Sequence, residues 1–230
     1  MTAVLVHGMT ADSRSWWQVA PRLAALGYRV LAPDLPGHGA SFSDPKATVE
    51  SFVDALCDAL PVAPDLAVGH SAGGSILRAA QARLQARRLV YVDTPLRPPV
   101  RRSRAELLAR YTAMKAQRSE TWLRATRSHW DDGDVRVEAA AARLWDPATA
   151  AALSADAGGR PARAAAQVPT LFVLADGSET VSIAEQEALA RGGARIVVIP
   201  GAGHTVWYGH VDEFVEAVAA WASSDSDVDG

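Results

Sequence analysis

The sequence predicts an α/β fold: an open, doubly wound, mostly parallel sheet carrying a helical cap insertion. Three observations predict it. Short apolar runs rich in Val and Leu recur along the chain, and helical apolar stripes separate most of them. One long stretch between two of the runs shows helical patterns and no convincing strand.

The runs are Ala3–Val6, Tyr28–Ala32, Leu66–Gly69, Leu89–Val92, Thr170–Ala175 and Arg195–Ile199. They do not alternate apolar with polar, which is the pattern of strands buried on both faces beneath covering helices. After the first run, Trp16, Val19, Ala20, Leu23 and Leu26 form a helical stripe, with Asp12 or Ser13 available as its cap. Val49, Phe52, Val53, Leu56 and Leu60 form a second stripe. Ile76, Leu77, Ala80 and Leu84 form a third, and Val211, Phe214, Val215, Val218 and Trp221 a fourth. Asp212 and Glu213 fall in the first turn of the last helix, where the helix dipole favours negative charge. Alternating strands and helices joined by right-handed crossovers give the open sheet.

From about Arg97 to Ala166 the alternation stops. This stretch is rich in Arg and Ala, carries Trp122, Trp130 and Trp145, and is too long for a structureless loop. A helical insertion over the sheet is expected. The domain reading is therefore a core of 1–96 and 167–222, a helical cap of 97–166, and a flexible acidic tail over 223–230.

A chain of 230 residues can bury one sizeable core, and 49% hydrophobic with 21% charged residues is ordinary for a soluble globular protein. The formal net charge of −3 argues against a nucleic-acid surface. Cys57 is the single cysteine, which excludes an intrachain disulfide and fits a reducing compartment. The apolar runs are far shorter than a membrane span, and the N-terminus shows no signal-peptide pattern, so a cytoplasmic location without membrane contact is expected. No Cys/His cluster or HExxH pattern suggests a metal, and no glycine loop reads as a phosphate cradle, so no metal and no cofactor are expected. The sequence does not reveal the oligomeric state.

The chemistry concentrates in Gly69-His70-Ser71-Ala72-Gly73-Gly74, which follows one apolar run and opens the helix of Ile76 and Leu77. This is G-x-S-x-G in a strand–turn–helix setting. The sharp turn forces the central Ser into strained backbone geometry, so its neighbours must be small. It also holds the Ser71 hydroxyl at the carboxyl end of the sheet. Alone, the pattern would equally describe a turn in which Ser merely caps a helix. A second strand ends in His7-Gly8-Met9, where a backbone loop can pass close to Ser71. The N–H groups of Met9 and Ala72 then form a candidate oxyanion hole. His204 follows the last strand and the turn Pro200-Gly201-Ala202-Gly203, so its loop reaches back to the same sheet edge. Imidazole there suits a general base for Ser71. His210 falls at the start of the final helix as a cap or surface residue, and His129 in the insertion has no partner that the sequence reveals.

The order of His7-Gly8, Asp34-Leu35-Pro36-Gly37-His38-Gly39-Ala40-Ser41, Gly69–Gly73 and Gly201-Ala202-Gly203-His204 resembles the α/β-hydrolase fold superfamily over almost the whole chain. Against larger members, the chain looks as though it starts at the family's third strand, without the antiparallel N-terminal hairpin. The Asp34–Ser41 segment resembles a structural turn of the family, which makes His38 architectural. The resemblance implies an acid in the loop after the penultimate strand, in a Gly-x-x-Asp-x-x-Val pattern. Aligned on Val181, that position holds Ser178, with Asp176 and Glu179 displaced to either side. Some members take the acid from the end of the earlier strand, where Asp93 stands. Asp93 is the favoured acid, with Glu179 and Asp176 as alternatives.

The function expected on this resemblance is a cofactor-independent serine hydrolase. It would cleave a carboxylic ester or related acyl compound, a small molecule, through an acyl-enzyme on Ser71. A thioesterase or a hydroxynitrile-lyase-like enzyme would use the same triad, and a catalytically silent binding protein of the same fold remains the rival from a different class. Tryptophans and arginines of the insertion are expected mainly as core packing and solvated faces.

Overall fold

The computed structural model describes residues 1–158 and 168–224. Six parallel strands form one sheet: β1 (Thr2–Val6), β2 (Arg29–Leu31), β3 (Leu66–His70), β4 (Leu89–Val92), β5 (Thr170–Ala175) and β6 (Arg195–Ile199), in the order β2-β1-β3-β4-β5-β6. The central strands are apolar throughout because each has two covered faces. Leu89 and Tyr91 of β4 pack with Phe52, Leu56, Leu77 and Phe172 on one side. Val90 and Val92 pack with Trp16, Trp207, Phe214 and Val218 on the other. Burial of each such side chain is worth about 1.5–3 kcal/mol, so the two half-cores hold the sheet jointly.

The edge strands depart from the expectation of burial on both faces. Arg29 of β2 is exposed and Val198 of β6 is 41% exposed, because each strand has a neighbour on one side only. β2 is also shorter than the expected Tyr28–Ala32.

Helices α1 (Val19–Ala25), α2 (Val49–Ala59), α3 (Ala72–Leu84) and α9 (Val211–Ser224) cover the faces. The first stripe is divided: Ser13–Trp16 form a 3-10 turn capped by the Asp12 carboxylate, and α1 follows as a separate helix. Leu26, expected on the stripe, lies past the helix end and is 47% exposed. α2 starts with Thr48, whose hydroxyl accepts from Ser51 N while the Ser51 hydroxyl accepts from Thr48 N. α8 (Ile183–Arg191) joins β5 to β6 and buries no residue; Ile183 itself is 74% exposed. A helix without an apolar stripe leaves no period to read.

Between β4 and β5 the chain forms α4 (Arg104–Gln117), α5 (Glu120–Thr126), α6 (Asp132–Leu144) and α7 (Pro147–Ala157). The expected insertion over 97–166 extends past the described residues at its end, and the expected tail over 223–230 lies outside them from residue 225 onward. Among the described residues no helix is long and apolar enough to cross a membrane.

Candidate active site

Ser71 stands between β3 and α3 with φ 50° and ψ −120°, a left-handed conformation that strains any residue with a side chain. The surroundings fix it. Ser71 N donates to Val92 O at 2.9 Å and Ser75 N donates to Ser71 O at 3.2 Å. Crowding explains the small residues around it. A side chain on Gly73 would collide with the carbonyl oxygens of His7 and Val6, where the first turn of α3 crosses the end of β1. A Cβ on Gly8 would lie 2.7 Å from His70 Nδ1 and 3.5 Å from Ser71 Cβ, so the loop after β1 does run against the serine.

His204 comes from the segment between β6 and α9. Its Nε2 accepts from the Ser71 hydroxyl at 2.9 Å, and its Nδ1–H donates to Asp93 Oδ2 at 2.6 Å. Asp93 closes β4, is buried, and has φ 39°. Its second oxygen, Oδ1, accepts from the Ser178 hydroxyl at 2.6 Å and from Ala175 N at 3.4 Å. Burial pushes the Asp93 carboxyl up, but the hydrogen bonds from His204 and Ser178 outweigh it and hold its pKa below the ordinary value. Asp93 is therefore ionised at neutral pH, and the 2.6 Å bond fixes the imidazole with its proton on Nδ1 and its lone pair toward Ser71.

The alternative acids lie elsewhere. Asp176 is exposed, and its Oδ2 accepts from Gly201 N at 2.9 Å. Glu179 is exposed beside Ser178 in a cleft of about 300 Å³ that Arg97 and Glu185 also line. Met9 lies beyond Gly8, and Ala72 is the first residue of α3. Neither N–H donates to a protein acceptor among the described residues.

Among the described residues the hydrogen bonds of His38 go to backbone carbonyls and not to Ser71. His38 is buried, with its ring nitrogens 2.8 Å from Pro36 O and 2.7 Å from Met9 O, so it ties the Asp34–Ser41 turn to the loop after β1. His7 is likewise buried: its Nδ1–H donates to Gly8 O and its Nε2 accepts from Leu35 N. Burial, reinforced by His38, pulls its pKa down to about 3. His210 N-caps α9, its carbonyl accepting from Phe214 N.

The insertion reaches the site through buried carboxylates that the sequence reading did not single out. Asp134 of α6 accepts from Trp17 Nε1 at 3.1 Å and from Gly209 N at 3.1 Å, the latter in the segment that carries His204. Burial and the neighbouring Asp131 push its carboxyl up to about 6. One turn on, Glu138 accepts from the Thr10 hydroxyl at 3.1 Å, next to Met9, and pairs with Arg118. One helix thus fastens the loops on both sides of Ser71. The i, i+4 spacing of Asp134 and Glu138 is visible in the sequence; their partners Trp17, Gly209 and Thr10, each at least 75 residues away, are not. His129, without a partner in the sequence, rests against Gly203 and Gly209. Trp145 is fully buried, and Trp130 packs edge-on against Tyr208 at 4.7 Å.

Among the described residues no group of three or more His, Cys, Asp or Glu is arranged to hold a metal ion. A serine hydroxyl hydrogen-bonded to an imidazole that a carboxylate holds is an arrangement suited to nucleophilic acyl transfer.

The sequence model of the alpha/beta hydrolase family matches residues 3–217. Curated relatives match in part. The magnesium-chelatase 30 kDa subunit of Rhodobacter capsulatus is 41% identical over 78 residues, 32% of this chain and 27% of that protein. Methylesterase 2 of Arabidopsis thaliana is 38% identical over 85 residues, 34% of this chain and 32% of that protein. The matched stretches thus span about a third or less of these relatives. Among solved structures, a thermophilic esterase from Thermogutta terrifontis superposes with a TM-score of 0.74 at 24% identity, covering 97% of this chain and 90% of that one. At that identity the likeness is one of fold.

Proposed function

The chain belongs to the alpha/beta hydrolase family, and from that premise we propose that it is a cofactor-independent serine hydrolase of a small carboxylic ester or related acyl compound. The observation that carries this reading is the continuous line Ser71 Oγ–His204–Asp93, with bonds of 2.9 and 2.6 Å. The esterases named among its relatives and structural neighbours lend the substrate class.

In the proposed reaction Ser71 Oγ attacks the carbonyl carbon while His204 Nε2 takes the hydroxyl proton. The N–H groups of Met9 and Ala72 hold the resulting oxyanion. The tetrahedral intermediate collapses, the leaving alkoxide takes the proton from His204, and the acyl group stays on Ser71. Water, deprotonated in turn by His204, attacks the acyl-enzyme, and collapse releases the acid as His204 returns the proton to Ser71 Oγ. Asp93 stays ionised throughout and stabilises the imidazolium. In this reading the described helices α4 to α7 act as a cap over the site.

The test is turnover of short p-nitrophenyl esters by the full chain and by Ser71→Ala. Loss of at least about 10³-fold in kcat with the fold intact is expected. Undiminished turnover by the variant would rule the proposal out. A series of acyl chain lengths on oxygen esters and thioesters then identifies the preferred leaving group.

A further inference from the structure

The residue before the nucleophile is itself built into the site. His70 ends β3, is 4% exposed, and reaches the segment that carries the base. Its Nε2–H donates to the carbonyl oxygen of His204 at 2.9 Å, and its ring lies 4.8 Å from the His204 ring. Trp207 meets the same ring edge-on at 5.0 Å, and the Gly8 backbone closes on its other nitrogen, Nδ1, which is buried without a partner among the described residues. One imidazole therefore touches the base loop, the loop of the candidate oxyanion hole and the strand that presents the nucleophile.

His204 needs such a contact. Its side chain is 49% exposed. It follows Gly201, at φ 75°, and Gly203, which leave the backbone pliable. Asp176 ties down Gly201 and Ala202 ahead of it, and Trp207 Nε1 donates to Ser15 O behind it. At His204 itself, the bond from His70 is the backbone hydrogen bond found among the described residues. We propose that His70 is a positioning residue, whose Nε2–H and ring fix the reach of the His204 imidazole to Ser71. This rests on Ser71 and His204 acting as nucleophile and base. Burial, together with the nearby His204, pulls the His70 pKa down to about 3. His70 therefore remains neutral and adds no repulsion when His204 becomes an imidazolium.

The geometry separates the donor from the ring. A glutamine side chain at this place can offer its Nε2–H where the imidazole Nε2–H stood. Asparagine is polar but too short to reach, and phenylalanine keeps a ring without a donor. The experiment measures kcat, KM and the pH profile with p-nitrophenyl acetate for the full chain and its H70Q, H70N and H70F variants. The NMR signal of the His204 Nδ1–H facing Asp93 is followed in parallel. Misplacing a general base by about an ångström costs on the order of 10²-fold. H70N and H70F are expected to lose about 10- to 100-fold in kcat at unchanged KM, with a weakened or shifted Nδ1–H signal, and H70Q to recover most of both. Equal activity in H70Q and H70N overturns the role of the donor, and a change confined to KM places His70 in substrate binding instead. The NMR arm needs no turnover. An unchanged Nδ1–H signal in H70N therefore sinks the positioning role even if Ser71 proves not to be a nucleophile, whereas Ser71→Ala turnover tests that separate assignment.

Discussion

The Ser178 hydroxyl donates to Asp93 Oδ1 at 2.6 Å from the loop after the neighbouring strand, leaving Oδ2 of the same carboxylate for His204. The two oxygens thus have separate tasks, and a serine occupies the place where the family resemblance implies the acid. Ser178 also accepts from Thr180 N and Val181 N, so its hydroxyl is aimed by its own turn.

Ser178→Ala removes a hydrogen bond to a buried carboxylate, worth about 1.5–3 kcal/mol. Part of that loss is recovered as the site relaxes, so we expect kcat to fall roughly 3- to 30-fold. The folded-state pKa of Asp93 is depressed, so its contribution to stability is present above the ordinary carboxylate pKa and lost as pH falls through the lowered one. The stability gap between wild type and Ser178→Ala should accordingly be full at neutral pH and shrink in strong acid, as read from urea unfolding at several pH values.

Removing the acid should discriminate among the three carboxylates. Asp93→Asn leaves the shape but loses the charge and the fixed tautomer, and is expected to lower kcat by about 10²- to 10⁴-fold. Glu179→Gln should stay within about threefold of wild type, because Glu179 is exposed and away from His204. Asp176→Asn can still accept from Gly201 N and should be mild. Steady-state kinetics on one ester ranks them, and a severe loss at Glu179 would reassign the acid.

Strain at Ser71 has a readout in stability. At φ 50° a glycine is relaxed and an alanine is not. Ser71→Gly should therefore be more stable than Ser71→Ala by about 1–2 kcal/mol, measured by chemical unfolding, although both lack the nucleophile. Equal stabilities would mean that the turn is unstrained.

The buried histidines set a limit in acid. His7 and His70 are neutral in the folded chain, with pKa values of about 3, and titrate near 6.5 when unfolded. Depressed folded values mean that the unfolded chain binds the extra protons. Stability is then full above pH 6.5 and lost as pH falls toward 3, by about 1.4 kcal/mol per pH unit for each histidine. Unfolding free energies measured from about pH 7.5 down to about 4.5 should fall with pH, less steeply than the two histidines alone would give because the raised carboxyl of Asp134 binds a proton in the folded chain first and opposes them, and His70→Gln should make the fall shallower by one histidine. A flat profile across that range would contradict the burial argument.

Much of the fold is legible because the central strands are covered on both faces and so are written as apolar runs. The edge is less legible. Ile196, Val197 and Val198 of β6 look as apolar in sequence as Val90 and Val92 of β4, yet β6 lacks a second neighbour. An edge strand can therefore read like a central one, and only the strand order tells them apart. α8 is hidden for the opposite reason, because it buries nothing and so carries no stripe.

The site is legible in the residues that local backbone geometry demands. Ser71 needs small neighbours at a strand–helix turn, and His204 needs a loop at the same sheet edge. The acid is less so, because Asp93, Asp176 and Glu179 differ only in where their carboxylates point. His70, Asp134 and Glu138 do not stand out as site residues because each acts through a contact distant in sequence: His204 O, Gly209 N and Thr10 Oγ1.

The central claim is that Ser71 is a nucleophile activated by His204. A fluorophosphonate probe tests it most directly, since the serine oxygen displaces fluoride and keeps the phosphonyl group. Incubation of the full chain followed by peptide mass spectrometry should locate one adduct on Ser71, absent from Ser71→Ala and formed much more slowly in His204→Ala. A folded chain that forms no adduct, or carries it on another residue, would contradict the account.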